Sequence, residues 1–389
     1  MTTTLGESPA SRHHESPIEA ARRLAPAIAG RALEGEADRC VPVDLVDELR
    51  ASGLLKLYLP ASLGGPEIDP VDAMEVIETI SAADGSTGWT TFILNSTYFV
   101  AWLEPDVARM ALAGEPGGGF ASNFGPFGRG TVAEGEAIVD GRWPFNSASP
   151  HASWFANGAL LDGFEAEPQW RFVFFRGTDC EILDTWRAAG LRATASHDVV
   201  VERLRVPLEL TANPIFARAR HDGPLFRWPF FAQLGTLFAG FPLGVARRAI
   251  DEFVTLARRK GRGGPTPLAE ESHVALALTR AEGQLRAARA FVVDAVGQGW
   301  TRALGGDELT QADRVAVRLA TANAMDAAIE IVDAMFHLAG GAALYDDNPL
   351  QRCWRDVHAG GQHLYFSANH RARVGQALLG RPVADAFIV

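Results

Sequence analysis

The sequence predicts an α+β fold: an N-terminal helical domain, a middle antiparallel β domain and a C-terminal four-helix bundle. Three observations predict it. Both ends of the chain carry Ala-, Leu- and Arg-rich stretches at helical spacing. The middle changes to dense glycine and short β-branched and aromatic runs. No strand–helix alternation of a doubly wound sheet runs through it. Four zones follow: a flexible tail over 1–16, helices over 17–115, the β unit over 116–210 and the bundle over 211–389.

Each element has its own signal. In the first helical zone, 18–33 follows the start signal Ser16-Pro17, and 43–54 stops at Gly53. A Pro/Gly-punctuated connector spans 57–70, then come a third helix over 70–83 and a very apolar fourth over 87–102. In the middle, glycine is dense at 115–119 and 125–130, and strands are expected at 137–139, 170–175, 198–201 and 204–206. Helices resume as long stretches over 239–258, 267–300 and 310–338.

Composition narrows the function. The chain has 389 residues and a formal net charge of -11, which argues against nucleic acid as a partner, since phosphate contact needs clustered cations. Three separated cysteines (Cys40, Cys180, Cys353) with no CxxC point to a reducing compartment and no metal site. No signal peptide and no membrane-length apolar run are recognisable, so a cytoplasmic protein is expected. Dinucleotide, P-loop, zinc-protease and serine-hydrolase signatures are missing.

Two segments concentrate chemistry. Residues 141–154, GRWPFNSASPHASW, place Trp143, Phe145, Ser147, Ser149, His151 and Trp154 together. They suit either the floor and polar edge of a planar-ligand site or a strand–turn with core aromatics and capping serines. Residues 339–363 hold Gly340-Gly341, Arg352, Arg355, His358 and His363. Glycines there permit close backbone approach, arginines can clamp an anion and histidines can exchange protons. A helix–turn–helix with an Arg–Asp tie reads equally well.

In their order, Leu59-Pro60…Leu63-Gly64-Gly65-Pro66, Trp186…Gly190-Leu191-Arg192…Val206-Pro207, Gly244…Ala246-Arg247…Ala249 and Gly340-Gly341…Pro349…Arg352…Arg355-Asp356 resemble the acyl-CoA dehydrogenase superfamily over nearly the whole chain. True dehydrogenases of that family carry a catalytic carboxylate shortly after the late Arg-Asp. Here Gly361-Gln362-His363-Leu364-Tyr365-Phe366 stands in its place, with no acidic residue between Asp356 and Asp385. Phe120-Ala121-Ser122-Asn123-Phe124-Gly125-Pro126 and Trp143-Pro144-Phe145-Asn146-Ser147 look instead like the two-component flavin-dependent monooxygenases.

That resemblance implies reduced FMN or FAD from a separate flavin reductase, dioxygen as co-substrate, a small-molecule substrate and a homotetramer. It makes His363 the candidate acid/base and Ser147 the donor or acceptor at the flavin N5 edge. It offers Trp143, Ser147, Ser122, Arg258, Arg262, Gly340, Gly341 and Arg355 as cofactor contacts. Phe92, Phe124, Phe145 and Trp143 are candidate dry walls. Several such enzymes carry a histidine on the apolar helix after the Gly-Trp pair, where this chain has Asn95, an amide that cannot move a proton. Asn95 therefore shifts the expectation toward N-hydroxylation, as in amino-sugar nitrososynthases, or toward sulfur or carbon oxidation. A dehydrogenase with a displaced base and a non-catalytic homologue remain alternatives. The apolar end, Phe387-Ile388-Val389, is expected to be buried against another subunit.

Overall fold

The computed structural model describes residues 15–115, 117–163, 169–259, 261, 266–381 and 383. Phe387-Ile388-Val389 and most of the expected tail lie outside the described residues. Helix α1 (Pro17–Asp38) opens with a capping box: Ser16 Oγ accepts the Glu19 amide at 3.3 Å, and the Glu19 carboxylate accepts the Ser16 amide at 2.8 Å. Helix α2 (Val43–Ala51) follows, then α3 (Pro70–Ala83) and α4 (Gly85–Leu94). Asp84 separates α3 from α4 and caps α4, its carboxylate accepting the Thr87 amide at 2.9 Å. The apolar stretch after α4 tightens into a 3-10 turn over Ser96–Trp102, and α5 (Pro105–Leu112) closes this part.

The middle is one mixed sheet. Its strands among the described residues are β1 (Phe120–Ala133), β2 (Glu136–Asn146), β3 (Trp154–Asp162), β4 (Trp170–Arg176), β5 (Glu181–Leu183), β6 (His197–Pro207) and β7 (Thr211–Ala212), in the order β5-β6-β2-β1-β3-β4-β7. The expected antiparallel sheet needs correction at its centre, because β1 and β3 pair in parallel. The chain reaches that pairing by turning back along β2 and crossing the start of β1 through residues 147–153. Glycines at 128 and 130 make room there, since a Cβ on them would meet Trp143 and Leu161. Trp143, Phe155, Phe172 and Phe174 are buried in the sheet, and burying each such ring contributes roughly 1.5–3 kcal/mol.

The C-terminal helices are α6 (Phe230–Ala257), α7 (Ser272–Leu304), α8 (Gln311–Ala339), α9 (Pro349–Gly361) and α10 (Ala368–Leu378). Helices α6 to α9 pack on one another, and α6 also packs along α3. Gly240 and Gly244, one turn apart on α6, allow that crossing: a Cβ on either would strike the backbone of Met74 or Glu78. Gln311–Leu344 is long and apolar enough, by length and composition, to cross a membrane. It packs against α6, α7 and α9 as a core helix of the bundle.

Candidate active site

A bulge in β2 forms the first wall. The pairing of β2 with β6 slips between Trp143 and Asn146, and a bulge re-aims side chains at the point of insertion. Phe145 takes φ +60° there and leaves its ring 69 % exposed. Ala148 (φ +60°), Leu191 (φ +51°) and Ala195 (φ +44°) share that left-handed backbone. Half of the eight non-glycine residues with positive φ among the described residues thus fall in 145–148 and 191–195; such strain gathers at functional sites. The two segments are laced by Ala148 N–H to Thr194 O at 2.8 Å and Ser149 Oγ–H to Ala195 O at 3.0 Å.

Trp89, on α4, joins this wall to the C-terminal helices. Its Nε1–H donates to Ser147 Oγ at 3.1 Å. Its ring meets Phe238 and Phe241 edge-on at 5.2 and 5.1 Å between centroids, and the His363 ring at 5.8 Å. Phe238 packs on His363 at 4.9 Å, and Phe92 closes on Phe238 at 4.5 Å. One indole therefore gathers two residues that lie far apart in sequence, Ser147 and His363.

His363 precedes the 3-10 turn Leu364–Phe366 and caps it: its Nδ1 accepts the Tyr365 amide at 3.1 Å. A nitrogen that accepts carries no proton, so the neutral ring holds its proton on Nε2. Nε2 has no hydrogen-bond partner among the described residues. Protein packed around the ring pushes its pKa down to about 4, with the Arg318 and His370 charges acting in the same direction. One edge is still open to the cleft, beside a Leu364 that is 61 % exposed. At neutral pH His363 is an uncharged Nε2–H donor, and its basic nitrogen is occupied.

A buried ionic cluster braces these pieces. Arg352 Nε lies 3.4 Å from Asp84 Oδ1, at the start of the helix that carries Trp89. Asp356 Oδ1 accepts the Leu191 amide at 2.6 Å. Burial first, and then the Asp84 charge, pushes Asp356 up to about 7. The cluster thus fixes α4, the 191–196 turn and α9, which leads to His363.

Several sequence expectations need correction. Asn95 is fully buried and turned away from the cleft: Nδ2 donates to Leu54 O and Thr91 O at 2.8 and 2.9 Å, and Oδ1 accepts the Leu57 amide at 2.8 Å. It brackets a turn, because α4 ends at Leu94 and spacing along the chain could not show which way the next residue points. Trp143 is a core residue whose Nε1–H donates to Gly158 O at 2.7 Å. Arg355 is spent on an ion pair with Glu36 and on hydrogen bonds to Ala189 O at 2.7 Å and Gln351 at 2.6 Å. Ser122 pairs with Ser96 at 2.8 Å, apart from the Trp89 contacts. Phe124 joins a separate cluster with Phe99 and Phe172.

Arg258 is exposed at the end of α6, and Arg262 lies outside the described residues. Gly340 ends α8 with φ +58°, and a Cβ at Gly340 or Gly341 would meet nothing within 4 Å. Sequence reasoning missed Trp89 and Phe238 as wall residues. A second groove, enclosing 560 Å³ among α1, α3, α6 and α7, is lined by Glu75, Glu78, Arg247 and Arg289 and shares no residue with this cleft.

Ser147 and His363 together offer a nearly buried hydroxyl with acceptor capacity and a neutral N–H donor, beside the exposed ring of Phe145 and above a bed of buried aromatic rings. That donor set fits a flat heteroaromatic ring system with an N–H edge. Residues 11–103 match the acyl-CoA dehydrogenase N-terminal domain and 236–368 the acyl-CoA dehydrogenase C-terminal domain. Indole-3-acetate monooxygenase of Pseudomonas putida is 29 % identical over 390 residues, covering 99 % of each chain. The oxygenase subunit HsaA, a flavin-dependent monooxygenase of Rhodococcus jostii strain RHA1, is 28 % identical over 386 residues, covering 94 % of this chain and 98 % of that one. The crystal structure of 3-HSA hydroxylase from Rhodococcus sp. RHA1 matches with a TM-score of 0.90 at 26 % identity, over 96 % of this chain and 100 % of that one.

Proposed function

The chain belongs to the acyl-CoA dehydrogenase family, and from that premise we propose that it is the oxygenase component of a two-component flavin-dependent monooxygenase. One observation carries the reading: Trp89 holds Ser147 by a hydrogen bond and His363 by ring packing, over the buried rings of Phe92, Phe238 and Phe241. A reduced flavin, FMN or FAD, supplies the electrons that activate dioxygen when it is bound. It comes from a separate flavin reductase.

The protein's own residues do the rest. Phe145 would lie against one face of the flavin ring system, and Ser147 would accept a hydrogen bond from it. The aromatic walls exclude water, so that activated oxygen meets substrate and not solvent. His363 Nε2–H donates to the oxygen atom or to a substrate oxygen where negative charge gathers. Among the described residues the dehydrogenase alternative has no carboxylate base beside His363: the buried carboxylates Asp84 and Asp356 face Arg352 and backbone amides. Asn95, turned inward, is no proton carrier at this site, and helix α4 carries no histidine in its stead. The substrate is a small, flat, largely apolar molecule.

The working form is a cytoplasmic homotetramer. Supporting it, Leu344 and Tyr345, just after Gly340-Gly341, are each 70 % exposed in the single chain, an apolar surface suited to a second copy.

The test is rapid mixing of the protein, loaded anaerobically with photoreduced FMN or FAD, with oxygenated buffer. A distinct spectral phase before oxidised flavin returns supports the reading. Direct return at the rate of free flavin, with and without candidate aromatic substrates, refutes it. Bleaching of bound oxidised FAD by acyl-CoA thioesters would restore the dehydrogenase.

A further inference from the structure

Behind Ser147 runs a line of buried hydroxyls. Ser147 Oγ lies 2.7 Å from Ser196 Oγ, Ser196 Oγ lies 2.7 Å from Thr194 Oγ1, and Thr194 Oγ1–H donates to Leu191 O at 2.8 Å. Ser147, Ser196 and Thr194 are 7 %, 4 % and 1 % exposed. A hydroxyl owns one proton and two lone pairs, so the line can be solved from its far end. Thr194 gives its proton to Leu191 O and must accept from Ser196. Ser196 has then given its proton and must accept from Ser147. Leu191 O also takes Trp186 Nε1–H at 2.9 Å and the Thr194 amide at 3.2 Å; the Thr194 hydroxyl is the nearest of the three.

Ser147 is thereby left in one state. Its proton is drawn back to Ser196, one lone pair holds Trp89 Nε1–H, and one lone pair is free. It can accept one more hydrogen bond and can donate none.

We propose that Ser196 and Thr194 are positioning residues that lock Ser147 as an acceptor and so make the site select reduced over oxidised flavin. The inference rests on the reading of the cleft as a flavin site. In a reduced isoalloxazine N5 bears a hydrogen and donates; in the oxidised ring N5 is a bare acceptor. A locked acceptor pairs with the first and opposes the second. The difference between a made and an opposed hydrogen bond is about tenfold in affinity. Such selection suits a component that must take reduced flavin from solution and release it once oxidised.

The test is equilibrium binding of the full-length protein to FMN and FAD. Oxidised flavin is followed by fluorescence quenching, and photoreduced flavin by anaerobic titration. The readout is the ratio of the two dissociation constants, which general weakening of the fold leaves unchanged. Ser196→Ala and Thr194→Val both free the Ser147 proton to turn outward, and each is expected to shrink the preference for reduced flavin about tenfold, chiefly through tighter oxidised binding. Thr194→Ser restores the chain and the wild-type ratio. A wild-type ratio in folded Ser196→Ala and Thr194→Val overturns the inference while leaving the flavin site standing. A wild-type protein that binds neither redox form overturns both. Should Ser196→Ala fail to fold, the contrast between Thr194→Val and Thr194→Ser decides.

Discussion

Replacing Asn95 by alanine separates a structural bracket from a catalytic amide. The side chain is fully buried and makes three hydrogen bonds to backbone, two of them to the 54–57 turn. Thr91 O keeps the Asn95 amide as a partner at 3.2 Å, so the substitution orphans two groups, Leu54 O and Leu57 N–H. Leu54, Leu55 and Leu57 are themselves fully buried, leaving no water to replace the lost partner. At about 1–3 kcal/mol for each unsatisfied buried group, the expected loss is roughly 2–6 kcal/mol. The assay is guanidinium unfolding, with native-state hydrogen exchange at the Leu57 amide as the local probe; exchange there should accelerate by several orders of magnitude. A loss under about 1 kcal/mol together with abolished turnover would refute the bracket and return Asn95 to the chemistry. Asn95→Asp adds a pH signature. Burial and the facing carbonyls of Leu54 and Thr91 raise the new carboxyl's folded pKa above the ordinary value of about 3.9. Its contribution is then full at pH below about 3.9 and is lost as pH rises through the folded value.

Four further outcomes are expected. His363→Ala should lower turnover by about 10²–10³ by removing a preorganised donor, while His363→Gln, which keeps an N–H, should retain more; stopped-flow turnover with intact flavin binding checks this. His151 is 8 % exposed and pushed down to about 4 by burial, so wild-type stability should fall as pH drops from about 6.5 toward 4, and thermal melts across that range would show it. Asp356 is pushed up to about 7, so its contribution is full below about 3.9 and is lost as pH rises from there toward 7; Asp356→Asn should gain stability relative to wild type across that range and hold the gain above it, read by thermal melts at about pH 4 and about pH 8. Gly88→Ala would drive a Cβ into Ser81 across the α3–α4 contact; a loss of about 1–3 kcal/mol and weaker flavin binding through displaced Trp89 are expected, measured by melting and titration.

The long helices were legible because their burial repeats at helical spacing: α3, α7 and α8 fall within a few residues of the expected stretches. Strand β1 was not. FASNFGPFGRGTVA carries three glycines and a proline and reads as loop, and it is a strand because β2 and β3 pair with it on both sides. Local composition also cannot give pairing direction, so the parallel β1–β3 contact was invisible. At the site, Ser147 and His363 stood out by their place in recognisable segments. Trp89 did not, since an indole on an apolar helix looks like core until a distant hydroxyl is found at its nitrogen. Arg355 and Trp143 misled for the opposite reason: residue types that grip cofactors are the same types that tie elements together.

The parallel pairing of β1 and β3 bears on how this protein can be re-engineered. Because the sheet's centre requires the chain to cross the start of β1, residues 147–153 form a topological necessity whose length is set by the distance between two strand ends. Ser147 rides on that crossing. Lengthening or shortening it would shear the sheet and the hydroxyl together. The β1–β2 turn at Glu134-Gly135, at the far end of the strands, bears no such constraint. Loop grafts, tags and circular permutations belong there, and libraries aimed at new substrates should vary the walls on α4 and α6 while leaving the crossing untouched.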